Sequence, residues 1–262
     1  MNNSNSLHRL LTLLTATALL FSACSKDSDD PLEEDKTTVK TGVYVVSNLA
    51  ADTLASSGSD ARPLYFSLEQ NKVIPESERY SDKWDICFTS IYNSSVYANN
   101  GGAIGTPGYG SPGRGGIYLV VDRKFDKSYG YDTINFKPAV LPIPLDLFDQ
   151  AFQAVKTVPV ADIEFQTRVP ISLDHFQSSG DGWGYYDFYG SLFPDNPRKA
   201  HVVYTLPRAM IVRTAKGKYA KITIKSIYKD IPANPDRDNK PGYVSFSYAI
   251  QMDGSKNLDI TP

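Results

Sequence analysis

The chain has 262 residues, of which 27 are basic, 29 are acidic and only two are cysteines, and its formal net charge is −2. This balance gives no indication of a basic surface for nucleic acid, and two cysteines exclude a zinc site built on cysteine pairs. Tyrosine, phenylalanine and proline are frequent, with 17, 12 and 17 residues respectively, a composition typical of short strands joined by turns.

The N-terminal segment predicts an exported protein with a lipid anchor. A polar start is followed by the apolar run LLTLLTATALLF, which is too short to span a bilayer, and by small residues before Cys24. This order resembles a lipoprotein signal peptide over residues 1–23 and an acylated Cys24, whereas ordinary cleavage would leave a free thiol there. Residues 24–40 are acidic and lack aromatic side chains, which predicts a flexible tether, and residues 41–262 remain for one β domain.

Short runs in which apolar and polar residues alternate predict strands through the rest of the chain. In chain order these runs cover residues 42–47, 64–68, 84–90, 116–121, 201–205, 209–214, 218–228 and 244–251. The pair Lys216-Gly217 is typical of a tight turn, so we expect the runs on either side of it to form a hairpin.

The two longest runs have one apolar and one polar face. In residues 218–228 the polar face carries Lys221 and Lys225, and in residues 244–251 it begins with Ser245. This period of two predicts antiparallel strands that are half-buried, with the polar face in water.

Only residues 146–155 show the apolar spacing of a helix, and Asp146 can cap its start. The sequence therefore predicts an all-β fold, an antiparallel sandwich or partly closed barrel with long loops and one short helix.

A glycine-rich run between two predicted strands raises the question of phosphate binding. Residues 108–113 read G-x-G-x-x-G, the order found in dinucleotide-binding turns. Such a turn needs a strand before it and a helix after it, whereas prolines interrupt this run and a strand-like segment follows. We interpret it as a long, flexible loop rather than a phosphate site.

Motifs of the common enzyme classes are missing from the sequence. It contains no G-x-S-x-G, H-E-x-x-H or Walker sequence, and the acidic segment 236–242 has Lys240 where a calcium loop needs a ligand. Outside the predicted signal peptide the histidines are His175 and His201, and the sequence locates no partners for a Ser–His–Asp site. We expect no enzymatic activity.

Four segments, in this order, resemble the HmuY family of haem-binding surface lipoproteins of Gram-negative anaerobes. They are LYFSLEQNKV at 64–73, WDICF at 84–88, NGG at 100–102, and RTAKGKYAK at 213–221 followed by GYVSFSY at 242–248. The resemblance implies an all-β haemophore, anchored by its lipid in the outer membrane and exposed at the cell surface. Such a protein takes ferric haem b from host haemoproteins and passes it to a TonB-dependent outer-membrane receptor for iron acquisition, and it is not an enzyme.

The resemblance also implies two axial iron ligands, which are histidine or methionine in the family. One family ligand falls in the interval 183–213, which contains His201, while the stretch expected to hold the other, residues 149–165, has neither histidine nor methionine. His175 is the nearest candidate for the second position, and Met210 and Tyr189 are alternatives. If one of the two axial positions is not occupied by histidine, its ligand is a tyrosine, which haem iron also accepts, or is absent.

Aromatic and basic residues near these histidines are candidates for the haem pocket. The aromatic candidates are Trp183, Tyr185 and Tyr186, which would otherwise pack in the core, and Arg198 and Lys199 can pair with the haem propionates. The alternative function is a surface lipoprotein on the same scaffold that binds a glycan or a partner protein instead of haem.

Overall fold

The computed structural model describes residues 38–54 and 61–261. The predicted signal peptide, Cys24 and most of the predicted tether lie outside the described residues. Within the described ranges, helices long and apolar enough to cross a bilayer are absent.

The described residues form thirteen strands and two α-helices, besides short 3-10 turns. In chain order the elements are β1 Gly42–Ala50, β2 Leu64–Ser67, β3 Lys72–Ile74, β4 Ile86–Thr89, β5 Ser95–Ala98, β6 Gly116–Leu119, α1 Arg123–Ser128, β7 Tyr131–Asp132, β8 Lys137–Pro138, α2 Asp146–Ala154, β9 Gly184–Asp187, β10 Val202–Thr205, β11 Met210–Arg213, β12 Tyr219–Tyr228 and β13 Pro241–Gln251.

Two antiparallel sheets form the body of the fold. One has the strand order β1-β13-β12-β11-β6, the other has the order β3-β2-β4-β5, and β9 pairs separately with β10. The sheets meet through aromatic side chains, because the ring of Phe246 on β13 lies 5.4 Å from that of Phe66 and 5.8 Å from that of Phe88. The predicted all-β sandwich is confirmed, and single bridges at Gln166 and Ile171 join β6 and β5 to the same connecting segment.

The hairpin of β11 and β12 forms as predicted. Gly217 adopts φ +87°, which glycine tolerates, and the backbone N–H of Thr214 donates to the carbonyl of Lys218 at 2.8 Å across the turn. The register then pairs Met210 with Ile222.

The polar face of the hairpin is not in water, so the expectation of half-buried strands was wrong. Lys221 is only 2 % exposed, and its Nζ donates to the carbonyl of Val155 at 2.8 Å at the end of helix α2. The ammonium also lies 4.6 Å from the ring centroid of Phe152, and Ser245 on β13 is equally buried. Helix α2, the segment that follows it and Leu258 of the C-terminal segment cover this face.

Helix α2 begins at Asp146 and buries Phe148 and Phe152, but the predicted cap is wrong, because Leu145 is the N-cap residue and no side chain caps the helix. Helix α1 was not predicted, because its sequence RKFDKS shows no apolar stripe. Its start is nevertheless capped, since the Asp122 carboxylate accepts from the backbone N–H groups of Lys124 and Phe125.

The glycine-rich run forms the predicted loop, and the side chain of Asn99 fixes it in place. The Asn99 amide donates to the carbonyl of Trp84 at 2.8 Å, and its oxygen accepts from the Ser111 hydroxyl at 2.6 Å. A Cβ on Gly113 would lie 2.5 Å from that oxygen, and one on Gly101 would lie 1.7 Å from the carbonyl oxygen of Ser111. The glycines therefore allow close backbone packing within a loop that is tied down rather than flexible.

A buried ion cluster joins the loops beside β9. The Arg208 guanidinium donates to Asp126 of helix α1 at 2.8 Å, to Asp174 at 2.7 Å and to the carbonyl of Gly182 at 2.7 Å. The Tyr131 hydroxyl donates to the second oxygen of Asp174. Because the three side chains are fully buried, their opposite charges compensate one another within the cluster, and Arg123 adds a further cation 3.2 Å from Asp126.

Candidate ligand pocket

A pocket of about 540 Å³ opens beside the short β9–β10 sheet. Its walls combine aromatic rings with a few polar side chains, which is the usual make-up of a site for a small organic ligand. The lining residues are Ile91, Tyr92, Tyr186, Phe188, His201, Tyr228, Asp236, Arg237, Asn239 and Pro241.

The pairing of β9 with β10 places His201 in this wall. Tyr186 pairs with Val203, and the backbone N–H of His201 donates to the carbonyl of Asp187 at 2.9 Å, just before β10 begins. His201 has φ +60°, a left-handed conformation that is uncommon outside glycine. Its ring lies edge-on to that of Phe188, with centroids 4.7 Å apart. The imidazole is thus held at the end of a strand and is half-buried in an aromatic wall.

The hydroxyl of Tyr186 is the hydrogen-bond partner of His201, at 3.0 Å from Nδ1. Tyr186 is only 8 % exposed. Burial, together with the neighbouring hydroxyl of Tyr92, raises the pKa of Tyr186 to about 12, so the hydroxyl keeps its proton at neutral pH. The pair therefore presents a neutral hydroxyl to an imidazole at the pocket wall.

The loop between β12 and β13 forms the polar side of the pocket. Arg198 pairs with Asp236 at 3.1 Å and also with Asp238, and the backbone N–H of Arg237 donates to the carbonyl of Arg198 at 2.9 Å. A backbone hydrogen bond from Asp238 and the charge of Arg198 lower the pKa of Asp236. Arg237 of this loop is therefore part of the pocket lining, and no ion pair of its guanidinium occurs within the described ranges.

The two basic residues predicted from the sequence have structural partners instead. Lys199 is buried, and its Nζ donates to the side-chain oxygen of Asn234 at 2.6 Å and to the carbonyl of Pro235 at 2.7 Å. Arg198 is occupied by the aspartates of the loop. Both side chains therefore hold the loop, and Arg237 is the cation in the pocket lining.

His175 does not share the pocket with His201. Its ring is tilted against that of Phe136 with centroids 3.9 Å apart, and its Nε2 lies 3.2 Å from a carboxylate oxygen of Asp181. A metal-ligating atom from each of His175, Asp174 and Asp181 lies within 4.8 Å of the other two, a spacing that could hold a metal ion. Both carboxylates are already paired with arginines, however, so this cluster is neutralised by protein charge.

The remaining predicted site residues lie in the core or on the open surface. Trp183 is 1 % exposed and its indole N–H donates to the carbonyl of Ser94 at 2.7 Å, while Met210 is 0 % exposed on β11. Tyr185 is half-buried and packs against a separate cluster around Leu206. Tyr189 is 85 % exposed, with its ring against that of Phe188. Of the aromatic candidates, the structure brings only Tyr186 to His201.

Eight of the ten lining residues were not among the predicted site residues, and they include Tyr92, Phe188, Tyr228 and Arg237. The run Gly184–Asp187 followed by Phe188 alternates with period two, and that signal would have placed Tyr186 and Phe188 on one face. Residues of the β12–β13 loop reach the pocket through long-range contacts that no local pattern indicates.

The fold and the pocket together define an all-β protein with an aromatic surface cleft that contains one imidazole. The sequence model described as HmuY protein matches residues 59–248, well over half of the chain, and the chain therefore belongs to the HmuY family. The predicted family is confirmed by this match. No curated protein matches the chain.

Three solved structures cover most of the chain at low identity. A candidate HmuY-like heme-binding protein from Bacteroides vulgatus is 11 % identical, covers 81 % of this chain and 96 % of its own, and has a TM-score of 0.40. A candidate lipoprotein from Bacteroides fragilis is 12 % identical, with 81 % and 94 % covered and a TM-score of 0.36. The apo HmuY analog of Tannerella forsythia is 14 % identical, with 82 % and 97 % covered and a TM-score of 0.33. Membership of the family rests on the sequence model alone.

Proposed function

We propose that this protein is a surface-anchored haem-binding lipoprotein that captures ferric haem in the pocket beside His201. The observation that carries the proposal is an imidazole at the wall of an aromatic pocket of about 540 Å³. Ferric protoporphyrin IX is a flat, largely apolar molecule whose iron binds imidazole nitrogen, and such a pocket offers both an apolar surface and that donor.

His201 is the axial ligand in this proposal, through Nε2. The other ring nitrogen, Nδ1, is engaged by Tyr186 at 3.0 Å, which leaves Nε2 for the iron. His175 is held by Phe136 and Asp181 outside the pocket lining. We therefore infer one protein histidine on the iron, with the sixth position open to water or to a tyrosine of the pocket, so the ferric complex is high-spin.

Arg237 pairs with a haem propionate. It lies in the pocket lining, and guanidinium groups bind carboxylates through two parallel hydrogen bonds. Asp236, the neighbouring acid, and Asp238 both pair with Arg198, which reduces their repulsion of a propionate at Arg237.

The family and the N-terminal segment support a proposed cellular role. Acylated Cys24 anchors the protein in the outer membrane at the cell surface, where it takes haem from host haemoproteins and delivers it to a TonB-dependent receptor for iron acquisition. Mass spectrometry of the membrane-extracted protein tests the anchor, since a diacylglyceryl group on Cys24 is expected and an unmodified thiol contradicts it.

Titration with ferric haem tests the proposed function. The wild-type protein is expected to give a saturable shift of the Soret band, and His201→Ala to weaken haem binding at least about tenfold, because an axial ligand is lost. His175→Ala is the matched control and is expected to bind as the wild type does. No Soret shift at micromolar protein would overturn the haem assignment and favour a glycan or a partner protein as the ligand.

A further inference from the structure

We propose that Tyr186 is a positioning residue, which holds His201 with its proton on Nδ1 and so presents the lone pair of Nε2 to the pocket. The inference concerns the state of the imidazole before any ligand arrives. Its use in haem binding rests on the function proposed above.

The hydrogen-bond contacts of His201 are one-sided. Its Nδ1 lies 3.0 Å from the Tyr186 hydroxyl, and its Nε2 has no hydrogen-bond partner among the residues that the structure describes. A neutral imidazole has one N–H donor and one acceptor nitrogen. Two arrangements are therefore compatible with the distance: either Nδ1–H donates to the phenol oxygen, or the phenol O–H donates to Nδ1.

The surroundings of Tyr186 favour donation by the imidazole. The hydroxyl of Tyr186 has a second polar neighbour in Tyr92, whose hydroxyl contributes to the raised pKa of Tyr186 and whose ring stands edge-on to that of Tyr186 with centroids 6.4 Å apart. A phenol has one proton and two lone pairs, so a hydroxyl that donates to Tyr92 accepts from Nδ1–H. In this arrangement Nδ1–H of His201 donates to the Tyr186 oxygen and the Tyr186 proton is directed towards Tyr92, so each proton is placed once.

The backbone fixes both ends of this contact. Tyr186 is paired with Val203 in the β9–β10 register, and the backbone N–H of His201 donates to the carbonyl of Asp187. Phe188 closes on the imidazole from the side at 4.7 Å between ring centroids. Ring rotation would break the hydrogen bond between Nδ1 and Tyr186 in a partly buried site, so the orientation of the imidazole is preorganised.

The arrangement is the one that metal-binding histidines use, in which the nitrogen away from the metal donates to a fixed acceptor. Such an acceptor sets the tautomer and ring direction, and its loss costs about 10–100-fold in metal affinity. Tyr186→Phe keeps the ring but removes the hydroxyl, so it isolates this contribution.

The first test needs no haem. The chain has only three histidines, so ¹⁵N NMR of labelled histidine side chains can be assigned with His175→Gln, which identifies the His201 signals by elimination within the folded domain. Wild-type protein is expected to show a protonated Nδ1 and an unprotonated Nε2 on His201, and Tyr186→Phe to shift the population towards Nε2–H. A protonated Nε2 in the wild type at neutral pH, or no change in the variant, overturns the inference.

The second test uses ferric haem and separates this inference from the proposed function. Tyr186→Phe is expected to weaken haem binding about 10–100-fold while the complex keeps the spectrum of a histidine-bound haem. Tyr109→Phe removes a hydroxyl from an exposed tyrosine of the glycine-rich loop and is the control that keeps wild-type affinity. If wild-type protein binds haem through His201 and Tyr186→Phe binds it equally well, the positioning role is refuted. If wild-type protein binds no haem, the proposed function fails, and the NMR result alone decides the tautomer.

Discussion

Replacing Arg208 with methionine is expected to destabilise the fold strongly, because the buried Asp174 loses its cation and Asp126 keeps only its pair with Arg123 at 3.2 Å. The guanidinium contacts Asp126 through two nitrogens at 3.2 and 2.8 Å and Asp174 through a third at 2.7 Å, and all three side chains are at most 1 % exposed. Methionine keeps much of the volume but supplies no hydrogen bond or charge.

The expected loss follows from the burial of this cluster. Removing one partner of a buried ion pair costs about 3–5 kcal/mol, because the remaining charge is left without compensation. For a domain of this size each kcal/mol lowers the melting temperature by about 2–4 °C, so the expected decrease is roughly 6–20 °C. Urea unfolding followed by tryptophan fluorescence gives the free energy directly, since Trp183 and Trp84 are fully buried.

The matched control is Arg198→Met, which removes an arginine that also contacts two aspartates but is exposed. Its side chain is 57 % exposed, and exposed ion pairs contribute about 0–1 kcal/mol, so this variant is expected to unfold close to the wild type. If Arg208→Met costs less than about 1 kcal/mol, or no more than Arg198→Met, the cluster does not stabilise the fold as argued.

Two further predictions concern the glycine-rich loop and the buried Asp85. Gly101→Ala is expected to lower the free energy of unfolding in urea by about 1–3 kcal/mol, because its Cβ would lie 1.7 Å from the Ser111 carbonyl oxygen. The control Gly180→Ala has open space around it and is expected to change that free energy by less than about 0.5 kcal/mol. Equal effects of the two substitutions would refute the packing role of Gly101. Burial, reinforced by Glu69, raises the pKa of Asp85 from 3.8 to about 7, so the folded state binds a proton that the unfolded state has lost across this window. The free energy of unfolding is therefore expected to fall as the pH rises from about 5 to 7.5, and less steeply in Asp85→Asn; an equal slope in both proteins would contradict this.

The sequence was sufficient to predict most strands of the large sheet, because their alternation and their turn residues are local signals. The turn at Lys216-Gly217 and the pairing of β11 with β12 follow from such signals. Burial of the outer face was not predictable in this way. Lys221 belongs to a pattern that is typical of a face in water, yet helix α2 covers it, and that helix lies more than sixty residues earlier in the chain.

The candidate pocket was predictable only in part, for the same reason. His201 and Tyr186 lie in one interval of the sequence, and strand pairing brings them together across β9 and β10. Arg237 reaches the pocket because Arg198 and Lys199 hold its loop, so basic residues near the histidine in sequence are supports rather than pocket lining. The contacts of His175 with Phe136 and Asp181 depend equally on distant segments.

The most direct measurement of the central claim is a crystal structure of the protein crystallised with ferric haem. We expect the iron bonded to Nε2 of His201, the porphyrin against the rings of Tyr186 and Phe188, and a propionate at the Arg237 guanidinium. Iron bonded to a residue outside this pocket, or haem bound on another face of the fold, would contradict the assignment of the site.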